Sequence, residues 1–175
     1  FEVIDSFLEL EDPLINIIEK TKDNEIQNNH LITRTQCEID TFSWFLNFNE
    51  SFSYQRKFVK RGWFSDLECL ELVKAKSPDL IIVYGTSIIK GEIIEEFKNK
   101  ILNVHLGLSP YYRGSGTNYF PFVNNEPEYC GATYMFLDSG IDTGKIIHQI
   151  RPDIFEFDSF QQLSDRFLLK IFDTY

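Results

Sequence analysis

The sequence is poor in cysteine and in cationic side chains, and each shortage excludes a class of protein. Its three cysteines, Cys37, Cys69 and Cys130, are widely spaced and include no C-x-x-C pair. Neither a disulfide framework nor a metal site is therefore expected. The 17 Lys and Arg residues face 27 Asp and Glu residues, which gives a formal net charge of −10. Because broad nucleic-acid binding requires clustered cations, we do not expect a nucleic-acid partner.

Long apolar runs are also lacking. No stretch approaches the roughly 20 apolar residues that a membrane span needs, and no signal-peptide pattern opens the chain. These absences predict a protein of the reducing cytosol without a membrane partner. The 175 residues, of which 43% are hydrophobic, suit one domain with a substantial core. We therefore expect a single domain over 1–175, in which 1–63 are harder to interpret than 64–175.

The first 63 residues give few periodic patterns. Apolar positions behind Asp12-Pro13 predict a helix over 12–22, followed by a polar loop over 23–29. A second helical spacing of apolar residues runs over 33–47. The aromatic stretch over 52–64 shows no clear period, and its basic residues are typical of a solvated face.

From residue 64 the patterns become clear. Ser65 and Glu68 match a capping box that begins a helix, and Ser77-Pro78 ends it. The apolar run over 80–84 then predicts a strand that is buried on both faces.

Helical and extended patterns continue to alternate after this strand. Such a rhythm is typical of βαβ units, so the sequence predicts an α/β fold with a mainly parallel twisted sheet flanked by helices. Asp158 or Ser159 is expected to cap a final helix. The other predicted elements are a helix over 93–97, a strand over 101–105, a helix over 119–123, and strands over 132–137 and at 146–147.

Two polar side chains mark the end of the strand over 101–105. Asn103 and His105 are two positions apart, so they project from the same face of the strand. Ligands of open α/β sheets bind at this end of the strands. Asp142, in a glycine-rich loop, could bring a carboxylate to the same place. Taken singly, the histidine could be structural and the other two could be turn formers, but together the three side chains favour an active site.

An amide, an imidazole and a carboxylate in one cleft suit acyl transfer to an amine. The acyl oxygen needs hydrogen-bond donors as it becomes an oxyanion, and the attacking nitrogen must lose a proton to a base or to water. A covalent nucleophile is not indicated, because Ser109 is followed by proline and lacks a G-x-S-x-G context. Direct attack by the acceptor amine is the simpler mechanism.

Four separate stretches carry a family likeness. They are Asn103-Val104-His105, Ser109-Pro110-Tyr111-Tyr112-Arg113-Gly114, Gly131-Ala132-Thr133 and Leu137-Asp138-Ser139-Gly140-Ile141-Asp142-Thr143-Gly144. In this order they resemble the folate-dependent formyltransferases, which include methionyl-tRNA, glycinamide-ribonucleotide and sugar N-formyltransferases. The resemblance implies a Rossmann-like formyltransferase fold and N10-formyltetrahydrofolate as the formyl donor.

The resemblance also implies roles for individual residues. Asn103 would hydrogen-bond the formyl oxygen, His105 would stabilise the oxyanion, and Asp142 would orient His105 and assist proton removal. The loop after the strand over 80–84 matches the place where the family binds the pterin ring through backbone groups and apolar side chains. Its residues are Tyr84, Gly85, Thr86, Ser87, Ile88 and Ile89.

The acceptor side is where the sequence departs from the family. Leu108-Ser109 replace the usual two leucines before the loop proline, and Gly107 stands where serine is common. Arg113 could bind a phosphate or carboxylate, or could join the loop to backbone carbonyls. Aromatic side chains here could stack on an acceptor or pack in the core. The candidate acceptor residues are Ser109, Tyr111, Arg113, Gly114 and Tyr119.

A second departure concerns the N-terminus. The family opens with an apolar first strand, and nothing in 1–30 has that pattern. Either that strand lies outside this sequence or the sheet begins differently.

The resemblance implies a transferase of one-carbon metabolism that formylates a primary amine of a small molecule. The acidic charge and the aromatic loop make an amino-sugar nucleotide the first acceptor to consider, and glycinamide ribonucleotide the second. Three alternatives stay open: methionyl-tRNA as acceptor, hydrolysis of formyltetrahydrofolate, and a non-catalytic folate- or nucleotide-binding module. The sequence does not define the oligomeric state.

Overall fold

A computed structural model describes residues 3–10, 24–49 and 56–174. The predicted helix over 12–22 lies outside these residues. The elements, in chain order, are β1 (Ser6–Glu9), α1 (Glu25–Asn49), β2 (Arg56–Val59), a 3₁₀ turn (Trp63–Ser65), α2 (Leu67–Lys76), β3 (Ile81–Tyr84), α3 (Glu92–Glu96), β4 (Ile101–His105), α4 (Phe120–Val123), a 3₁₀ turn (Pro127–Tyr129), β5 (Ala132–Phe136), β6 (Ile146–Ile150) and α5 (Phe160–Asp173).

The described strands form two sheets. β1 pairs with β2 in parallel, while the larger sheet has the order β3-β4-β5-β6. β3 and β4 are parallel, and the pairings of β4 with β5 and of β5 with β6 are antiparallel. The α/β class is confirmed, with parallel pairing in the first half of the fold. β6 is antiparallel to β5 because the loop over 137–145 that joins them is shorter than the crossover connection that a parallel neighbour needs.

One face of the larger sheet is covered by helices, and the core between them is apolar. It lies where β3 and β4 meet α2, α3 and the Trp63 turn, and its most buried large side chain is Ile101, at 2% exposure. Fully burying such a side chain contributes about 1.5–3 kcal/mol. This core fixes the strands whose ends carry the polar residues. Its buried members are Trp63, Cys69, Leu70, Val83, Ile89, Ile93, Ile94, Phe97 and Ile101.

Several predictions of local structure were confirmed. The helices and strands after residue 90 appear where the patterns place them, and the helix over 33–47 is part of α1. The final helix, α5, is capped by Ser159, whose side chain accepts a hydrogen bond from the Gln162 N–H in a capping box.

The N-terminal half required one correction and revealed one further strand. The polar loop expected over 23–29 is wrong from residue 25, because α1 begins at Glu25 and the Asn28 N–H already bonds to the Asn24 carbonyl. Polar residues form this first turn as an exposed helical surface. The stretch over 1–30, in which no strand pattern was visible, contains the strand β1, which pairs with β2 along its whole length. Four residues are too few to show a clear period.

Two corrections concern α2 and β3. Ser65 does not cap α2: the N-cap is Asp66, without a side-chain hydrogen bond, and the Ser65 hydroxyl bonds to Ile88 and Lys90 instead. β3 is not buried on both faces, because Ile82 is 54% exposed whereas Val83 is 7% exposed.

Contacts divide the chain into two compact units. One comprises Phe1–Glu9 and Arg56–Arg151, and the other comprises Leu10–Gln55 and Pro152–Tyr175. Both sheets belong to the first unit, and α1 and α5 belong to the second. That 1–175 behave as one domain stays a prediction. In the described part of the chain, no helix has the length and apolarity to cross a membrane.

Candidate active site

Strand β4 brings Asn103 and His105 to one end of the larger sheet. β4 pairs in parallel with β3, so that Val83 is opposite Asn103, and in antiparallel fashion with β5, so that Thr133 is opposite His105. His105 is only 6% exposed, whereas Asn103 is half-buried. Neighbouring strands on both sides thus fix the two side chains at the strand end that sequence analysis predicted.

The Asp142 carboxylate joins these two side chains. Its Oδ2 lies 3.3 Å from His105 Nδ1, and its Oδ1 lies 3.5 Å from Asn103 Nδ2. Oδ2 also accepts a hydrogen bond of 2.9 Å from the Gly114 backbone N–H. The structure therefore brings together the three side chains expected to be catalytic, with a tie to the loop that follows them.

The turn between β5 and β6 aims the Asp142 carboxylate. Asp138 accepts hydrogen bonds from the Gly140 N–H and the Thr143 hydroxyl, which closes the turn. Asp142 itself has a positive φ of 51°, a conformation that aspartate tolerates better than most residues. Gly144 cannot carry a side chain, because a Cβ would lie 1.7 Å from the Phe136 carbonyl oxygen.

The backbone carbonyl of Tyr112 orients the imidazole ring of His105. Its oxygen lies 2.9 Å from His105 Nε2. A carbonyl can only accept, so Nε2 must carry a hydrogen. Nδ1 then faces the Asp142 carboxylate at 3.3 Å, where a hydrogen on Nδ1 would be donated to that carboxylate.

Gly107 makes room for this arrangement. A Cβ on Gly107 would lie 2.3 Å from His105 Nε2 and 2.8 Å from the Tyr112 carbonyl oxygen. In the sequence, this glycine is visible only as a departure from the family pattern. The structure gives the physical reason: a side chain would displace the imidazole or its carbonyl partner.

Thr133 and Gln149 anchor the start of the acceptor loop, and sequence analysis assigned neither a function. The fully buried Thr133 hydroxyl donates to the Gly107 carbonyl at 2.7 Å and accepts from the Ser109 N–H at 3.0 Å. The Gln149 amide donates to the Ser109 carbonyl at 2.7 Å. A polar side chain facing inward from β6 was the only signal that could have identified Gln149.

The candidate acceptor residues occupy different environments. Tyr111 is 62% exposed and stacks on Tyr129 with ring centroids 4.4 Å apart. Tyr119 is 49% exposed, Arg113 is exposed, and Gly114 contacts Asp142 through its N–H. Ser109 is only 3% exposed, which does not suit direct contact with an acceptor. Its backbone holds the loop instead.

Tyr112 makes hydrogen bonds through its side chain as well as through its carbonyl. Its hydroxyl donates to the Glu126 carboxylate and accepts from the Asn124 amide. The hydrogen bond to Glu126 raises the pKa of the Tyr112 phenol above its usual value. These contacts stabilise the segment whose carbonyl orients His105.

The candidate donor loop begins beside Asn103, because β3 and β4 are parallel and end together. Gly85 adopts a positive φ of 62° directly after β3. Ile88 is 60% exposed and offers an apolar surface, whereas Ile89 is buried in the core, so its side chain is directed away from solvent. Tyr84 and Thr86 are half-buried. The candidate donor loop thus presents one exposed apolar side chain and a sharp turn beside the polar trio.

Comparison with known proteins agrees with the sequence resemblance. A family model described as "Formyl transferase" matches residues 16–170. The chain is 32% identical over 120 residues to a methionyl-tRNA formyltransferase of Finegoldia magna, which covers 63% of this chain and 38% of that protein. It is 40% identical over 84 residues to the methionyl-tRNA formyltransferase of Clostridium tetani, covering 47% and 26% respectively. The chain thus spans well under half the length of these relatives.

Solved structures have the same fold. A phosphoribosylglycinamide formyltransferase from Streptococcus pneumoniae superposes with a TM-score of 0.62 at 22% identity, covering 75% of this chain and 76% of that one. The formyltransferase PseJ from Anoxybacillus kamchatkensis superposes with a TM-score of 0.56 at 30% identity, covering 75% and 67%. PseJ was solved in complex with UDP-4,6-dideoxy-4-formamido-L-AltNAc and tetrahydrofolate. The Rossmann-like fold implied by the sequence is confirmed.

Proposed function

The chain belongs to the formyl transferase family, and from this premise we propose that it moves a formyl group from N10-formyltetrahydrofolate to a primary amine. The observation that carries the proposal is the Asp142 carboxylate, which lies within 3.5 Å of both Asn103 and His105. An amide donor, an imidazole and a carboxylate around one point provide the groups that direct acyl transfer requires.

The proposed reaction is an addition followed by an elimination. The amine nitrogen attacks the formyl carbon, and the carbonyl electrons move onto oxygen to form an oxyanion. The Asn103 amide and the His105 Nδ1–H donate hydrogen bonds to this oxygen. Collapse breaks the bond between the formyl carbon and N10, and the proton lost by the amine balances the one that N10 gains. Asp142 or a water beside it carries that proton.

The orientation of His105 supports its role in this scheme. Because Nε2 is engaged by the Tyr112 carbonyl, Nδ1 is the nitrogen that remains for substrate and for Asp142. A protonated Nδ1 has one hydrogen, which it can share between the Asp142 carboxylate and the oxyanion as a bifurcated hydrogen bond without rotation of the ring. The ring is therefore preorganised toward the side on which Asn103 lies.

For the acceptor we propose an amino-sugar nucleotide. The exposed Tyr111 ring packs on the Tyr129 ring, and it suits stacking on a base or sugar. The neighbouring Arg113 is exposed and suits a phosphate. PseJ, the structural neighbour at 30% identity, binds a nucleotide sugar, which supports the same choice.

Methionyl-tRNA is the second candidate acceptor. Relatives named methionyl-tRNA formyltransferases share 32–40% identity with this chain over 84–120 residues. Against it stands the formal charge of −10, which opposes the approach of a polyanion.

The test is a formylation assay with N10-formyltetrahydrofolate and a panel of acceptors. UDP-linked 4-amino sugars, glycinamide ribonucleotide and methionyl-tRNA are supplied separately, and release of tetrahydrofolate is followed together with formate. We expect formylated amino sugar and no formate without an amine. Formate release without any amine would support a hydrolase, and the absence of folate binding would contradict the proposal as a whole.

A further inference from the structure

We infer that Glu9 and Ser65 are positioning residues that fix the loop over 85–90 in the shape that receives the pterin ring. The inference rests on the proposed function and adds two residues, far from this loop in sequence, to its donor side. All the contacts concerned lie within the unit that contains both sheets.

Glu9 binds the first part of the loop, at Ser87. At the end of β1, its Oε2 accepts a hydrogen bond of 2.7 Å from the Ser87 N–H. Its Oε1 accepts bonds of 2.6 Å from the Ser87 hydroxyl and from the Gly62 N–H. One half-buried carboxylate thus joins β1, the Gly62 turn and the loop through three charge-assisted hydrogen bonds, which are stronger than neutral ones.

The carboxylate form of Glu9 is the one that these contacts favour. Burial alone would raise the pKa of Glu9, but hydrogen bonds from Ser87 and Gly62 outweigh it, so the pKa is below its ordinary value. Glu9 is therefore ionised at neutral pH and accepts all three bonds.

Ser65 binds the last part of the loop, at Ile88 and Lys90. Its hydroxyl oxygen accepts a 2.9 Å hydrogen bond from the Lys90 N–H and is 3.4 Å from the Ile88 carbonyl, to which it donates. Between these attachment points the exposed Ile88 side chain and the buried Ile89 side chain point to opposite environments. The two attachments together determine which side chain of this pair faces outward.

This arrangement gives Ser87 a different role from the one that the family resemblance implies. Both of its donors, the N–H and the hydroxyl, are used by Glu9, so Ser87 holds the loop rather than the pterin. The loop is ordered before the ligand arrives, and such preorganisation improves affinity because less conformational entropy is lost on binding.

The test is a set of variants of the 175-residue chain, with Glu9→Gln as the main one. The amide keeps the size of the side chain but puts an NH₂ donor against the donors of the loop. Because hydrogen bonds to a charged group are strong, we expect the KM for N10-formyltetrahydrofolate to rise about tenfold or more. The kcat and the acceptor KM should stay within about twofold of the unmodified chain, since the polar trio is untouched.

A merely structural role would give a different result. Global destabilisation lowers the fraction of active molecules, which reduces the apparent kcat and leaves the donor KM unchanged. Ser87→Ala should raise the donor KM less than Glu9→Gln, and the double variant should be less than additive because the two residues share their contacts. Glu71→Gln, an exposed position on α2, is the matched control.

Two further measurements separate the possible failures. Binding of 5-formyltetrahydrofolate to the unmodified chain is measured first by calorimetry; no binding there overturns the proposed function. Binding that Glu9→Gln leaves unchanged overturns only the present inference. Hydrogen exchange over 84–91 should become faster in Glu9→Gln and in Ser65→Ala, and it reports on the loop even if a variant loses activity. Unchanged exchange in both variants would also overturn the inference.

Discussion

At the scale of single residues, the site is organised by one carboxylate and one carbonyl. Asp142 faces Asn103 and the Nδ1 side of His105, while the Tyr112 carbonyl contacts Nε2 on the other side of the imidazole. Sequence spacing predicts that Asn103 and His105 share a face. It does not predict the second contact of His105, because a backbone carbonyl seven residues away depends on the path of the loop.

We expect Asn103→Ala, His105→Ala and Asp142→Ala each to reduce turnover about a hundred- to a thousand-fold, the usual loss when a group that stabilises an oxyanion is removed. Turnover is measured in the formylation assay, and circular dichroism checks that the fold is kept. Asp79→Ala changes an exposed carboxylate outside the site and should leave turnover unchanged. A folded Asp142→Ala chain with near-normal turnover would contradict the assignment.

Gly107→Ala tests the space beside the imidazole. The added Cβ would come within 2.3 Å of His105 Nε2 and 2.7 Å of Thr117 Cβ, so the ring or the loop must shift. A displacement of about 1 Å can cost about a hundredfold in rate, and we expect kcat to fall by at least tenfold, or about 1.4 kcal/mol. Ser115→Ala, an exposed change in the same loop, is the control. Equal kcat values for both variants would show that His105 does not need this space.

At the scale of elements, α1 and α5 show how local rules and burial act together. The sequence predicted Asp158 or Ser159 as the cap of α5, and the structure shows a capping box between Ser159 and Gln162, three residues apart. Asp165, on the same helix, is only 4% exposed, and its Oδ2 has no hydrogen-bond partner among the described residues. Burial raises the pKa of Asp165 despite hydrogen bonds with Cys37 and Thr41.

This raised pKa gives a pH-dependent prediction. An aspartate whose folded pKa exceeds its unfolded value destabilises the fold increasingly as the pH rises from about 3.9 through the folded pKa. Asp165→Asn removes the charge, so we expect a melting temperature at pH 7 higher by a few degrees, since each 1 kcal/mol shifts it by about 2–4 °C.

The same measurement at low pH provides the internal comparison. The gain should shrink as the pH falls toward 4, because Asp165 is then protonated in the original chain as well. Asp173→Asn, at the exposed end of α5, should show no such pattern. A gain that is constant between pH 4 and pH 7 would mean that the charge is not its cause.

At the scale of the whole molecule, net charge constrains the partner. With 27 acidic and 17 basic side chains, the chain lacks the excess of cations that drives contact with phosphate backbones. In our proposal, the exposed aromatic and cationic positions of the acceptor loop bind one small nucleotide instead. The acceptor proposal therefore depends on a global property as well as on local geometry.

We accordingly expect this chain to bind tRNA no more tightly than a Kd of about 10⁻⁴ M at physiological salt, the weak limit of non-specific binding. Fluorescence anisotropy of labelled tRNA should show no saturation below that concentration. Saturable binding that weakens steeply with added salt would contradict the expectation and favour methionyl-tRNA as the acceptor.

The sequence by itself determined the α/β class, the elements after residue 64 and the three polar side chains, because each depends on short-range spacing or on the order of recognisable stretches. The sequence also predicted that Asp142 joins Asn103, 39 residues away, but only the tertiary structure gave the atoms in contact and brought Ser87 to Glu9, 78 residues apart. The tertiary structure also revealed β1, whose four residues form a strand only by pairing with β2. The physical reason is the same in each case. Hydrogen bonds between distant segments depend on the packing that brings those segments together. Local periodicity in the sequence does not predict that packing.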